Sequence, residues 1–276
     1  MTLSATCCAT QARSYLFVPG DRPERFKKAF DANADAVILD LEDAVSLDNK
    51  SAARDAIANF VTPDHHAIVR INAIGTAWLA EDLALCRHPG IAGVMLPKTQ
   101  CADDVTAVAA QVGRDIAMLA LIETAQGMAN VNSLSQVPAL RRLVFGSIDF
   151  QLDMGIDGDD MELLPFRSRL VLASRCANLP PPCDSVTTAI NDPQMLAKDA
   201  LRGRRLGFGA KLCIHPRQVQ VVNETFSPDA SACAWAKRVL EAAANARGAA
   251  VALDGEMIDR PVVIRAQRIV EAARLR

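Results

Sequence analysis

The sequence predicts a closed barrel of eight parallel strands, each followed by a helix, with a helical extension at its carboxyl end. Three observations carry that expectation. From Arg13 onward, short apolar runs alternate with longer helical patterns about eight times, which is the signature of a parallel α/β fold. No Gly/Ser-rich linker separates the repeating units. Polar and charged residues stand directly behind the apolar runs, and in a (β/α)8 TIM barrel such positions form the mouth where active sites are built. An open, doubly wound sheet is the alternative, but no G-x-G-x-x-G follows the first run, so a dinucleotide site would lack its fingerprint.

Strands are expected at 14–18, 36–41, 67–71, 93–96, 118–122, 143–145, 183–186 and 210–214. The stretch IAMLALIET at 116–124 is continuously apolar until it stops at Glu123, as a strand buried on both faces with a carboxylate at its end should be. One helix later, LVFGSID at 143–149 ends the same way at Asp149. Helices are expected between the strands, for example at 23–33 with Pro23 near its first turn, at 50–60 and at 163–178. Behind the runs stand Pro19-Gly20, Asp40 to Asp43, Arg70 to Asn72, Pro97-Lys98, Glu123, Gly146 with Asp149, Asp184, and His215-Pro216. All of these are expected at the mouth. After His215 the pattern changes to a helix at 228–247 closed by Arg247-Gly248, a loop at 254–261 and a last helix at 262–276. The chain therefore divides into a loose tail at 1–12, a barrel at 13–226 and an extension at 227–276 that serves as a lid or a subunit contact.

Composition excludes several function classes. With 276 residues, half of them hydrophobic, and a formal charge of −2, the chain can bury one large core or two modest ones. A single Tyr and two Trp, without a basic run, leave no platform for stacking nucleic-acid bases. No apolar run reaches the length of a membrane span. The first residues have neither a basic segment nor a long apolar one, so they read as a tail rather than a secretion signal, and the cytoplasm is the expected compartment. The eight cysteines, at 7, 8, 86, 101, 176, 183, 213 and 233, form no C-x-x-C pair, and most lie in apolar contexts, as buried free thiols would. His65, His66, His88 and His215 are scattered. A zinc or thiol-nucleophile enzyme is not expected.

Two neighbouring strands each delivering an acid to one rim, Glu123 and Asp149, suit a hard divalent cation such as Mg2+ that keeps positions open for substrate. The competing account for each acid taken singly is that it caps the helix after it. Asp259, beside Arg260 and Pro261, is a further catalytic candidate, with an N-cap for the last helix as its competing account.

Seven ordered motifs then point to a family. SYLFVPGDRP at 14–23, AVILDLEDAV at 36–45 with Lys50 and Ala53-Arg54 behind it, VRIN at 69–72, LIET at 121–124, FGSIDF at 145–150, CIHP at 213–216 and GEMIDRP at 255–261 together resemble the citrate lyase β-subunit-like family. That family lies within the wider group of HpcH/HpaI aldolases and malyl-CoA lyases. The resemblance implies a TIM barrel assembled as a homotrimer or homohexamer, with Glu123 and Asp149 as Mg2+ ligands. By the same resemblance Arg70 holds the substrate carboxylate and carbonyl oxygen, and Asp259 is the catalytic aspartate, which in oligomeric relatives reaches a neighbouring subunit's site. Glu42 and Asp43 resemble acids standing behind the metal or its waters. Arg22 and Lys28 match contacts to a CoA phosphate or thioester carbonyl, their competing account being solvated helix charges. Position 148 departs from the pattern, with Ile where close relatives often carry a second acid.

The implied activity is Mg2+-dependent carbon–carbon cleavage of a 3-hydroxyacyl thioester, such as citryl-, citramalyl- or malyl-CoA, to a 2-oxo acid and a short acyl thioester. Three alternatives stand beside it. A CoA-independent Mg2+-dependent aldolase is disfavoured because relatives of that type carry His where this chain has Asp43. A malyl-CoA-type thioesterase would use the same site. A citrate lyase β subunit would depend on an acyl carrier protein, and the complete set Arg70, Glu123, Asp149 and Asp259 argues against a catalytically dead subunit.

Overall fold

The computed structural model describes residues 10–63, 65–245 and 251–274. Among them, eight parallel strands close into a barrel: β1 (Ser14–Pro19), β2 (Ala36–Asp40), β3 (Ala67–Arg70), β4 (Ile91–Leu96), β5 (Ala117–Ile122), β6 (Leu140–Phe145), β7 (Cys183–Asp184) and β8 (Ala210–Cys213). Neighbours in sequence are neighbours in the sheet, and β1 closes the cylinder against β8 with Ser14 opposite Lys211 and Leu16 opposite Cys213. β4 and β5 are buried along their whole length, because interior side chains fill one face and helices cover the other. The interior is packed by Tyr15, Ile38, Ile68, Leu119, Val144 and Leu212.

A 3-10 turn at Pro23–Arg25 leads into α1 (Phe26–Phe30), and around the barrel follow α2 (Lys50–Phe60), α3 (Leu79–Leu85), α4 (Ala102–Val112), α5 (Ala125–Ala129), α6 (Val131–Leu134), α7 (Ser147–Met154), α8 (Leu164–Cys176), α9 (Pro193–Leu206) and α10 (Pro216–Thr225). Their inward faces follow helical spacing. In α2, Lys50, Ala53 and Ile57 are the buried positions, three and four residues apart. The described residues divide into two compact units, the first ending at Asn223 and the second beginning at Glu224. The second unit contains α11 (Ala230–Asn245), a two-stranded antiparallel hairpin of β9 (Val251–Leu253) and β10 (Glu256–Ile258), and α12 (Arg260–Arg274). Ala236, Val239, Ile258 and Ala266 form its core.

Several details depart from expectation. β6 starts at Leu140, earlier than the apolar run, because Arg142 is 2% exposed despite its charge. Its Nε donates to the Pro181 carbonyl at 2.8 Å, and its Nη1 donates to the Ala12 carbonyl at 2.6 Å and to Tyr15 Oη at 2.8 Å. That same guanidinium reaches the Thr10 carbonyl at 3.0 Å, so residues 10–12 are held against the barrel rather than belonging to a loose tail. The rest of the expected tail with Cys7 and Cys8, the helix end at Arg247-Gly248 and the last two residues lie outside the described residues. The expected loop at 254–261 is in part a hairpin, with Asp254 and Gly255 both at positive φ in its turn (53° and 85°), the backbone that Asp-Gly pairs favour in tight hairpins. Of the described cysteines, Cys86, Cys183 and Cys213 are buried, Cys101 and Cys233 are intermediate and Cys176 is exposed, so burial is general only for those on or beside the barrel wall.

Candidate active site

The site begins at the end of β2, where the chain must turn with a cluster of acids in hand. Asp40 Oδ1 and Oδ2 accept the Glu42 and Ala44 backbone N–H groups at 2.9 and 3.1 Å. From outside the barrel, Lys50 fixes the same turn by donating Nζ to the carbonyls of Leu41 and Glu42 at 2.6 and 2.7 Å. Because Asp40 pairs in register with Arg70 on β3, the two side chains stand abreast. Arg70 Nε and Nη2 donate to Asp40 Oδ1 and Oδ2 at 2.7 and 2.6 Å, the bidentate geometry that suits a guanidinium to a carboxylate. Its Nη1 lies 3.0 Å from Glu42 Oε2, and Phe17 packs its ring 4.9 Å from the guanidinium carbon. Arg70 is therefore a fixed charge with its orientation set from two sides.

Glu123 directly follows β5 and is 2% exposed. Its Oε1 accepts the Lys98 backbone N–H at 2.7 Å, from a residue held at φ 47°. The Lys98 side chain swings the other way, donating Nζ to Glu42 Oε1 at 2.6 Å, so one residue steadies both buried acids. Gly146 is required on the next strand end, since a Cβ there would lie 2.6 Å from Glu123 Oε2 and 2.7 Å from Glu123 Cβ. Burial, then the charges of Glu42 and Asp149, push the Glu123 carboxyl up to about 8, against the opposing pull of the Lys98 N–H and Arg70. Burial likewise raises the Glu42 carboxyl, with Arg70 and Lys98 opposing. Neither Glu123 nor Asp149 serves as a helix cap. Thr124 caps α5 by accepting the Gly127 N–H, and the N-cap of α7 is Gly146, with Asp149 inside the first turn.

Arg70, Glu123 and Asp149 line one cavity of about 410 Å3, which also takes in Asp40, Asp43 and Ile148. The donor set facing it consists of hard carboxylate oxygens, which suit a divalent cation taking its remaining ligands from water or substrate. Burial first, and then the neighbouring charges of Glu42 and Asp149, raise the Glu123 carboxyl, and a cation bound there would relieve the second of these causes. The described residues hold no group of three or more His, Cys, Asp or Glu arranged around a metal, so the protein's share would be the carboxylate pair.

Other sequence candidates lie elsewhere. Asp184 does not face the mouth, because it points outward from β7 and accepts Arg167 Nε at 3.1 Å and the Ser185 N–H at 2.9 Å. Asn72 is bound to Asp82 of α3 through both its backbone and side-chain N–H groups, at 2.8 and 2.7 Å, and His215 Nδ1 accepts the Arg217 N–H at 3.1 Å. Arg22 and Lys28 are exposed and are not among the cavity's lining residues. Asp259, in the second unit, is exposed and accepts the Val262 N–H at 3.2 Å, as a helix cap does. The sequence placed Asp40 and Lys98 at strand ends without assigning them a task, and the structure makes both of them organisers of the site.

A model of the HpcH/HpaI aldolase/citrate lyase family matches residues 13–216, the span that carries every one of these strand ends. The chain belongs to that family. A relative within it, the citrate lyase subunit beta-like protein of Deinococcus radiodurans, is 35% identical over 94% of this chain and 96% of its own. The (3S)-malyl-CoA thioesterase of Cereibacter sphaeroides is 33% identical over 95% and 94% of the two chains. Among solved structures, protein CitE from Mycobacterium tuberculosis in complex with magnesium, acetoacetate and coenzyme A superposes with a TM-score of 0.82 at 36% identity, covering 95% of this chain and 98% of that one. The HpcH/HpaI family thus contains enzymes named for lyase and for thioesterase chemistry on closely similar chains. No helix among the described residues is long and apolar enough to cross a membrane.

Proposed function

We propose that this protein is a Mg2+-dependent carbon–carbon lyase that cleaves a 3-hydroxyacyl thioester, of the malyl-, citramalyl- or citryl-CoA kind, into a 2-oxo acid and a short acyl thioester. The observation that carries this reading is the buried Glu123 and the partly exposed Asp149 facing, across one cavity, an arginine whose orientation is fixed by Asp40 and Glu42. Glu123 and Asp149 would hold the metal, which when bound supplies a Lewis acid and a template for a 2-oxo acid.

The rest of the chemistry falls to this chain's residues. In cleavage, the bond between the hydroxyl-bearing carbon and the acyl α-carbon breaks, the hydroxyl hydrogen passes as a proton to water at the mouth, and the O–H pair forms the new carbonyl bond. The bonding pair goes to the α-carbon as a thioester enolate, which then takes up a proton. Arg70 binds the carboxylate next to the reacting carbon and stabilises the oxygen that becomes the carbonyl. Because Asp40 already orients it, little reorganisation is needed as charge changes there. Lys98 and Gly146 keep Glu123 in place, and Lys50 keeps the Glu42 turn in place. Asp259 acts as the acid that protonates the α-carbon, and Asp43 steadies water at the rim. Arg22 and Lys28 remain assigned to the thioester's CoA portion, and a homotrimer or homohexamer to the assembly.

Hydrolysis of the thioester is the second reading, favoured by the 33% identity to a malyl-CoA thioesterase. One assay separates the two. Purified protein is incubated with malyl-, citramalyl- and citryl-CoA, with Mg2+ or EDTA, and both 2-oxo acid and free thiol are followed. Release of oxo acid without free thiol, abolished by EDTA, is the expected result. Free thiol without oxo acid would make the protein a thioesterase.

A further inference from the structure

Resting on the lyase reading, we propose that this site selects a 2-oxo monocarboxylate as the acid half of its substrate and rejects 2-oxo dicarboxylates. The hydroxyl-bearing carbon of the thioester then carries one carboxylate together with a hydrogen or a methyl group, and no second acidic arm.

The argument is one of charge and surface. Among the described residues lining the cavity, Arg70 is the one cation, and it is already gripped by Asp40. With a divalent cation balanced by Glu123 and Asp149, and Arg70 balanced by Asp40, the exposed Asp43 adds a negative charge to the same lining, and its nearest cation, Lys98 Nζ at 3.9 Å, is held more closely by Glu42. A first substrate carboxylate has the metal and Arg70 to receive it. A second one has no positive partner. Lys98 is the nearest alternative, but its Nζ donates to Glu42 at 2.6 Å and its next neighbour is Asp43 at 3.9 Å.

The rest of the wall is apolar, formed by Phe17, Leu121, Ile148, Val186, Leu212 and Ile214. A carboxylate pressed against it would give up hydration without a compensating bond, whereas a methyl group would gain burial. Ser185 supplies a hydroxyl on the lining, whose oxygen accepts the Ser147 N–H at 3.0 Å. It can donate one hydrogen bond but brings no charge. Ile148 sits half-exposed at 50%, so its side chain is free to meet a ligand rather than being committed to the core.

The test is calorimetric titration of the full chain, saturated with Mg2+, by pyruvate and by freshly dissolved oxaloacetate. Pyruvate is expected to bind at least about tenfold more tightly, the scale on which an unpaired or like-charged group is penalised at a contact. Oxaloacetate binding as tightly as pyruvate, or more tightly, overturns the proposal and leaves the lyase reading standing. Binding of neither acid overturns both. In Ile148→Arg, which adds a cation to the apolar wall, the gap should narrow several-fold, and a gap of unchanged width would overturn the charge argument itself.

Discussion

Gly146→Ala adds one methyl group at the point where the structure leaves least room for it. The new Cβ would meet Glu123 Oε2 at 2.6 Å, Glu123 Cβ at 2.7 Å and Leu121 Cδ1 at 3.3 Å. Carbon atoms rest at about 3.5–4.0 Å, so the Glu123 side chain must retreat by about 1 Å. Such a shift stretches the 2.7 Å bond from the Lys98 N–H beyond hydrogen-bonding range. With Mg2+ bound and Glu123 ionised, loss of this hydrogen bond costs about 1.5–3 kcal/mol, and overpacking adds about 1–3 kcal/mol. The variant should therefore melt several degrees lower, at about 2–4 °C per kcal/mol for a chain of this size. Its Mg2+ affinity should fall by about 10–100-fold, as it does when the support of a metal ligand is disturbed. Calorimetric titration with Mg2+, with circular dichroism to verify folding, measures both. A folded variant with wild-type Mg2+ affinity would refute the role given to Glu123.

Three other outcomes follow from the same geometry. With its carboxyl raised to about 8, first by burial, Glu123 is mostly protonated at pH 7 without metal. Mg2+ binding should then release close to one proton and strengthen by roughly tenfold per pH unit up to about pH 8. The metal-free native state binds more protons than the unfolded chain over that interval, so its stability should fall as pH rises from about 4.5 to 8; titration in buffers of different ionisation enthalpy and denaturant melts at several pH values check both statements. Arg142→Met strands the carbonyls of Ala12 and Pro181 and the Tyr15 hydroxyl and should cost on the order of 3–5 kcal/mol of stability in urea unfolding, with Mg2+ affinity retained. Asp259→Asn keeps an effective helix cap but removes the acid, so turnover should fall by about 100-fold or more while pyruvate binding stays near normal; unchanged turnover would leave capping as its whole task.

What the sequence made legible were the features that local chemistry repeats. Strands buried on both faces announce themselves as apolar runs, and α2 lies at Lys50–Phe60, where its pattern put it. Glu123 and Asp149 were visible because each acid interrupts such a run. Hidden features depended on partners distant in the chain. Arg142 masked the start of β6, since its burial depends on carbonyls at residues 10, 12 and 181. The Asp40 and Arg70 clamp follows from sheet register, and the two tasks of Lys98 follow from a backbone at positive φ. Asp184 was misplaced at the mouth because side chains alternate along a strand. Its neighbour Cys183 packs into the interior, and Asp184 turns out to meet Arg167 of α8.

The central claim is that Glu123 and Asp149 hold one divalent cation at the mouth of the barrel. An anomalous difference map from a crystal soaked in Mn2+, a hard cation that stands in for Mg2+, tests it most directly. The account predicts a single strong peak touching both carboxylates and lost in Glu123→Ala. A peak elsewhere, or one that survives that substitution, would contradict it.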